Sequence, residues 1–201
     1  SLLIVLIVVS LLSCKSAQYR KEVRSVNIKQ ITVQDSRFFK NGKPYYFVGA
    51  NYWYGPLIGA KNIGDRERLI KELDLMKSVG IDNLRILVGA EGDGGKWNGY
   101  GEVPNPFLGQ YSWDEYMTYT SQFHSCEPCK EAYYNHLRFI IGRTNKYSGI
   151  KYTEDNTVMS WQVANEPRVL ITPNHEKAFA GWLNETVALI KSLDPNHLVS
   201  T

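Results

Sequence analysis

The sequence has 201 residues, a formal net charge of +3 at pH 7 and 43% apolar residues. This length allows one sizeable folded core. The basic residues form no stripe interleaved with aromatic residues, so no nucleic-acid partner is expected.

The first 14 residues predict an export signal. Residues 2–12 are apolar except for Ser10, a run too short to cross a bilayer core of about 30 Å as a helix. The run matches the apolar core of a secretory signal. Leu11 to Cys14 resembles a bacterial lipoprotein cleavage site, and an ordinary signal peptide with an incidental cysteine is the alternative. The prediction is a protein that is secreted or anchored in a membrane by a lipid on Cys14, in the periplasm, the outer membrane or the cell surface.

The ends of the sequence suggest a fragment. It begins at Ser1 and stops at Thr201 within an apolar, strand-like run, where backbone groups would lack partners. Residues 15–33 are basic and without periodicity, which predicts a solvated tether. We therefore expect the folded domain to comprise residues 34–201.

The first part of that domain predicts a strand, helix and strand unit. Residues 38–51 form two strand-like runs joined by an Asn-Gly turn. From Asp65 to Ser78, apolar residues recur at spacings of three and four, which predicts a helix. Residues 81–88 predict the next strand, with Arg85 as its conspicuous charge. A short return between such strands is typical of a parallel α/β sheet.

The alternation continues after a glycine-rich stretch, residues 89–111. A capping box begins a helix that pauses and restarts at a proline, and a strand, a long helix and a final strand follow. These elements are predicted at residues 112–125, from 128, at 157–164, at 176–193 and from 197.

Glu166 is the strongest candidate for a catalytic group. It follows Asn165 at the carboxyl end of the predicted strand, and Pro167 ends that strand because it has no ladder donor. In a parallel barrel this end faces the active site. A carboxyl group in a partly dry cleft has a raised pKa and can donate a proton near neutral pH. The alternative is a carboxylate that only caps or pairs at a strand end.

The run from Trp161 to Pro167 resembles the acid/base strand of glycoside hydrolase family 5. Further runs, in the same order along the chain, are similar to the bacterial mannanase branch of that family: residues 47–53, 80–85, 147–152 and 160–168. The resemblance implies a (β/α)8 TIM barrel, present here in part with about four of eight strands. It also implies an endo-β-1,4-mannanase that hydrolyses mannan, galactomannan or glucomannan with retention.

The resemblance assigns roles to individual residues. It implies that Glu166 is the acid/base, that Asn165 forms a hydrogen bond with the sugar 2-hydroxyl, and that Arg85 supports the nucleophile. The nucleophile itself is expected beyond residue 201. No cofactor or metal is expected, because protonation and carboxylate attack supply the chemistry, and the complete enzyme is expected to be a monomer.

Three aromatic residues are candidate sugar contacts. Tyr52 and Trp53 follow the strand that ends near residue 51, and Trp97 lies in the glycine-rich stretch. Packing in the core is the alternative for Tyr52 and Trp53.

The family places a further helix and its third strand between Val88 and Ser112, where this sequence has only loop-like residues. We therefore expect an internal gap there. We also expect the 201-residue polypeptide on its own to be poorly folded and inactive, because open edges of a parallel sheet favour aggregation.

Other functions remain open from the sequence. A β-1,4-glucanase and a non-catalytic, surface-tethered glycan-binding lipoprotein are the alternatives. Cys126 and Cys129 form a Cys-x-x-Cys pair that predicts a disulfide, two free thiols, or a zinc site with His124 and His136. His124 and His175 otherwise show no partner pattern and are expected at the surface.

Overall fold

A computed structural model of the protein describes residues 30–62, 64–88 and 112–201. Their contacts divide them into two compact units. The first unit contains residues 30–44 and 114–201, and the second contains residues 45–88 with 112–113. The predicted signal segment, Cys14, Trp97 and the gap region 89–111 lie outside the described residues. Within the described residues, no helix is long and apolar enough to span a membrane.

The first unit opens with an antiparallel sheet of three strands. These strands are β1 (Ile31–Gln34), β2 (Arg37–Lys40) and β3 (Lys43–Pro44). Asn41 and Gly42, between β2 and β3, both have positive φ angles, 56° and 76°. A two-residue hairpin turn requires such angles, so the predicted turn is confirmed.

Strand β1 begins within residues 15–33, which we predicted to be a tether. Ile31 is buried, and β1 pairs with β2 along its whole length. The folded part therefore begins before the predicted boundary at residue 34. The turn at Asp35 and Ser36 has positive φ angles without a glycine, so it lacks the strongest sequence signal for such a turn.

The second unit is the predicted strand, helix and strand. Its elements are β4 (Gly49–Asn51), α1 (Gly55–Ile58), α2 (Arg66–Ser78) and β5 (Asn83–Arg85). Strands β4 and β5 pair in parallel with Asn51 opposite Arg85, which confirms the predicted arrangement. The strands are shorter than predicted, and residues 45–48 separate β3 from β4.

Helix α2 is bounded by local signals. The Asp65 side chain accepts a hydrogen bond from the N–H of Arg68 at 3.0 Å. At the other end Gly80 has a φ of 86°, and the N–H of Ile81 donates to the carbonyl of Met76 at 3.0 Å. This is the glycine-ended helix stop that the sequence predicts.

The remaining elements belong mainly to the first unit. They are α3 (Trp113–Thr120), a 3-10 helix (Ser121–Ser125), α4 (Glu127–Ile141), a short 3-10 helix (Tyr152–Glu154), β6 (Ser160–Gln162), α5 (Pro173–Leu193) and β7 (Leu198–Ser200). Strands β6 and β7 pair in parallel. The interruption near Ser125 is confirmed, and the helix restarts at Glu127, one residue before the predicted Pro128.

The core of the first unit lies between α4, α5 and the end of β6. Leu137, Ile141, Val163, Trp182 and Ile190 form the buried cluster. The predicted apolar face of α5 packs on or within this cluster. The core thus fixes the strand that leads to Glu166.

Candidate active site

Glu166 follows strand β6 in a left-handed backbone conformation, with a φ of 46°. A non-glycine residue in this region costs on the order of 1–3 kcal/mol and persists only where surrounding contacts hold it. Such positions are common at functional sites. The sequence had predicted the carboxylate at a strand end, but it carried no sign of this conformation.

The Glu166 carboxylate is open to solvent and paired with a cation. Its Oε2 lies 2.6 Å from Nη2 of Arg168, and 68% of the Glu166 side chain is exposed. The expected partly dry cleft is therefore not found among the described residues. The physical reason is that Glu166 follows the pair β6–β7, and two paired strands do not enclose a side chain as a closed barrel does.

Asn165 precedes Glu166 and is also exposed. Arg168 was not singled out from the sequence, although its charge two residues after Glu166 was a visible signal. In the first unit, the structure therefore brings Asn165, Glu166 and Arg168 to the carboxyl end of β6.

The second unit places Arg85 at the carboxyl end of β5. Its Nη1 donates to Oδ1 of Asn51, the residue opposite it on β4, at 3.4 Å. The carbonyl of Arg85 accepts from the N–H of Tyr52 at 2.7 Å. The predicted arginine thus lies beside polar groups at the strand ends, as the parallel pairing requires.

Tyr52 is buried against its neighbours in the second unit. Only 4% of it is exposed, and its hydroxyl donates to Glu72 on α2 at 2.8 Å. Gly55 lies so close that a Cβ there would be 2.7 Å from the Tyr52 ring. Burial, with the hydrogen bond to Glu72, raises the pKa of Tyr52 well above its ordinary value. The covered ring favours packing in the core, the alternative that the sequence left open for Tyr52, over a sugar contact.

Trp53 is half-buried, and its ring lies edge-on to Tyr54 with the centroids 5.1 Å apart. Tyr54 in turn donates to Glu72 at 2.9 Å. The role of Trp53 as a sugar contact stays a prediction, as does that of Trp97, which lies outside the described residues.

The two cysteines of the first unit are joined in a disulfide, Cys126–Cys129, at the start of α4. Neither sulfur is then a thiolate ligand, so the zinc and free-thiol alternatives do not hold for this pair. No cluster of three or more potential metal-binding side chains occurs in residues 30–62, 64–88 and 112–201.

His124 is buried rather than at the surface as expected. It is 6% exposed and packs against the rings of Phe123, Phe179 and Trp182. Burial lowers the pKa of His124 below its ordinary value. A neutral imidazole therefore completes an aromatic cluster next to the core.

Most of this chain matches the model of one known protein family. A model described as GH family 5 beta-mannosidase-like matches residues 28–98 and 95–201. The chain belongs to this family. The two matched segments meet inside the stretch where we predicted an internal gap.

Individual proteins that are similar to this chain are also named as mannosidases or mannanases. The chain is 30% identical over 125 residues to the putative mannan endo-1,4-beta-mannosidase 4 of Arabidopsis thaliana. The aligned residues cover 62% of this chain and 29% of that protein. A family 5 mannosidase from Rhizomucor miehei is 26% identical with a TM-score of 0.70, covering 86% of this chain and 55% of the other. A variant of that enzyme was solved in complex with mannosyl-fructose. An endo-1,4-beta-D-mannanase from Thermotoga petrophila is 25% identical with a TM-score of 0.55, covering 77% of this chain and 54% of the other.

These matches establish the fold, a partial (β/α)8 barrel. The chain spans less than two thirds of the length of these relatives. They include plant, fungal and bacterial proteins, so the bacterial branch stays a prediction.

Proposed function

We propose that the complete gene product containing these residues is a retaining endo-β-1,4-mannanase with Glu166 as its acid/base. One observation carries the proposal. In a chain of the β-mannosidase-like family, the Asn165–Glu166 pair follows a parallel strand at its carboxyl end, with Glu166 in a conformation typical of functional sites.

The chemistry uses two carboxyl groups about 5–5.5 Å apart. In the first step a carboxylate attacks the anomeric carbon, the glycosidic carbon–oxygen bond breaks, and Glu166 gives its proton to the leaving oxygen. In the second step the Glu166 carboxylate takes a proton from water, which attacks the anomeric carbon and releases the first carboxylate. No residue of this chain is proposed as that nucleophile.

Neighbouring residues are proposed to assist. Asn165 forms a hydrogen bond with the 2-hydroxyl of the sugar, and Arg85 holds the nucleophilic carboxylate in place. Trp53 is proposed to stack on a sugar ring. The proposed substrate is β-mannan, supported by the relatives named for mannan hydrolysis.

The test is hydrolysis by the purified gene product of galactomannan and of carboxymethylcellulose. Release of reducing ends from galactomannan, with the β-anomer appearing first by proton NMR, is the expected result. Preferential release from carboxymethylcellulose would instead make the protein a glucanase. Binding of galactomannan without cleavage would make it a glycan-binding protein.

We also propose that the protein is exported and lipid-anchored through Cys14. The apolar run 2–12, which leads into the segment Leu11 to Cys14, supports this. Palmitate labelling in a bacterial host should be lost on Cys14→Ser, and labelling that persists in this variant would refute the anchor.

A further inference from the structure

Two side chains hold the segment that carries Glu166, one on each side of it. Before Glu166, the hydroxyl of Tyr133 donates to the carbonyl of Val163 at 2.6 Å. After it, the N–H of Leu170 donates to the hydroxyl oxygen of Ser121 at 2.6 Å. The segment that contains Glu166 is therefore held on both sides by short hydrogen bonds to other elements.

Both anchors are themselves fixed by packing. Ser121 has no exposed surface. Val163, whose carbonyl accepts the hydrogen bond from Tyr133, is 4% exposed. The Tyr133 ring packs against Phe123 and Trp182 at centroid distances of 6.0 and 5.9 Å. Burial raises the pKa of Tyr133 well above its ordinary value, so it stays a hydroxyl donor.

The anchors belong to one corner of the fold. Ser121 opens the 3-10 helix, and Tyr133 lies on α4, which follows it. The disulfide Cys126–Cys129 closes the turn between them. A single corner thus holds the chain both before and after Glu166.

We propose that Tyr133 and Ser121 are positioning residues for Glu166 in the reaction. This inference rests on the proposed function. Neither residue needs to touch the substrate, and each acts by fixing the backbone from which the carboxyl group reaches the leaving oxygen. Proton transfer depends steeply on such placement, so small displacements of Glu166 lower the rate.

The first test compares Tyr133→Phe with Tyr134→Phe in the complete gene product. Tyr134 is the next residue on α4, and its hydroxyl donates to Glu185 at 2.9 Å, away from the Glu166 segment. The two variants thus each delete one hydroxyl from the same helix. The substrates are aryl β-mannosides with poor and with highly acidic phenol leaving groups.

Displacement of the Glu166 carboxyl group lowers the rate only for substrates whose leaving group needs a proton. We expect kcat/KM of Tyr133→Phe to fall roughly threefold to tenfold for the poor leaving group, the size of one lost hydrogen bond. We expect less than about a twofold change for the acidic phenol, and for Tyr134→Phe with either substrate. Equal losses in the two variants, or equal losses for the two leaving groups, would overturn the inference.

Amide hydrogen exchange tests the anchors without relying on hydrolysis. In Ser121→Ala and Tyr133→Phe, exchange across residues 164–170 should accelerate, and in Tyr134→Phe it should not. Unchanged exchange in the first two variants would overturn the positioning role. Accelerated exchange in these two variants, together with a wild-type protein that cleaves no mannoside, would support the anchors and refute the proposed function.

Discussion

Asp194 is a buried carboxylate with several donors. It has no exposed surface, and it accepts from Nε1 of Trp161 at 2.8 Å and from the backbone N–H of Asn196 at 3.1 Å. Nδ1 of His197 lies 2.6 Å from its Oδ2. Burial alone would raise the pKa of Asp194, but the hydrogen bonds from Trp161 and His197 outweigh it and hold the pKa below its ordinary value. This carboxylate links β6, the end of α5 and β7.

We expect Asp194→Asn to lower the free energy of unfolding by about 3 kcal/mol near neutral pH, because it removes the charge from a buried acceptor of several hydrogen bonds. A depressed pKa contributes stability above the unfolded value of about 3.9, and this stability is lost as the pH falls through the lower folded value. Urea unfolding at a series of pH values should therefore show the difference between wild type and variant shrinking below about pH 4. A difference that stays constant into strong acid would contradict this account.

Tyr52 and Trp53 are adjacent, but we expect different consequences from their replacement. Tyr52→Ala should lower the free energy of unfolding by about 3–5 kcal/mol, since it removes a buried ring. Trp53→Ala should raise KM for mannan by about tenfold, the effect of losing roughly 1.4 kcal/mol of sugar contact. Denaturant unfolding and steady-state kinetics on both variants separate the two. A Tyr52→Ala protein of wild-type stability with a raised KM would restore the sugar contact that the burial of Tyr52 argues against.

The sequence placed some site residues and missed others for a physical reason. The position of Glu166 after a strand follows from local order, and that of Arg85 from the strand that contains it. The burial of Tyr52 depends on Glu72 and Gly55, and that of His124 depends on helix α5. Contacts between distant parts of the chain leave no pattern around the residue itself.

Helices were predicted more accurately than strands. Helix α2 begins after its capping Asp65 and α4 contains the proline restart, because caps and helical periodicity are local. The predicted strands 81–88 and 157–164 shrink to Asn83–Arg85 and Ser160–Gln162. The length of a strand depends on its pairing partner, which the run of apolar residues does not contain.

The disulfide at the start of α4 lends itself to a direct measurement. Replacing both cysteines by serine should lower the free energy of unfolding by roughly 2 kcal/mol, the chain-entropy value for so short a loop. Thiol titration of the denatured protein should reveal two additional thiols only after reduction. Two thiols that react before reduction, or bound zinc in the purified protein, would contradict the bonded pair.

At the scale of the whole molecule, apolar side chains of the second unit remain exposed. They include Tyr46, Val48, Ile70, Leu75 and Val79, each more than half exposed. The parallel pairs β4–β5 and β6–β7 contain two strands each. Exposed apolar patches and open sheet edges both favour association.

We therefore expect the 201-residue polypeptide, expressed by itself, to aggregate, to bind a hydrophobic dye such as ANS, and to lack mannan hydrolysis. Size-exclusion chromatography and dye fluorescence are the measurements, with the complete gene product as the control. A soluble monomer that cleaves mannan would show this expectation to be wrong.

We propose that Glu166 gives and takes the proton during cleavage of a β-mannoside. The most direct measurement is the rate of galactomannan hydrolysis by Glu166→Gln in the complete gene product, with Glu154→Gln as the matched control. Glu154 is also exposed and ion-paired, with Lys151 at 3.3 Å. We predict a loss of about 10²–10⁴-fold for Glu166→Gln and wild-type activity for Glu154→Gln. Undiminished hydrolysis by Glu166→Gln would show that Glu166 is not the acid/base.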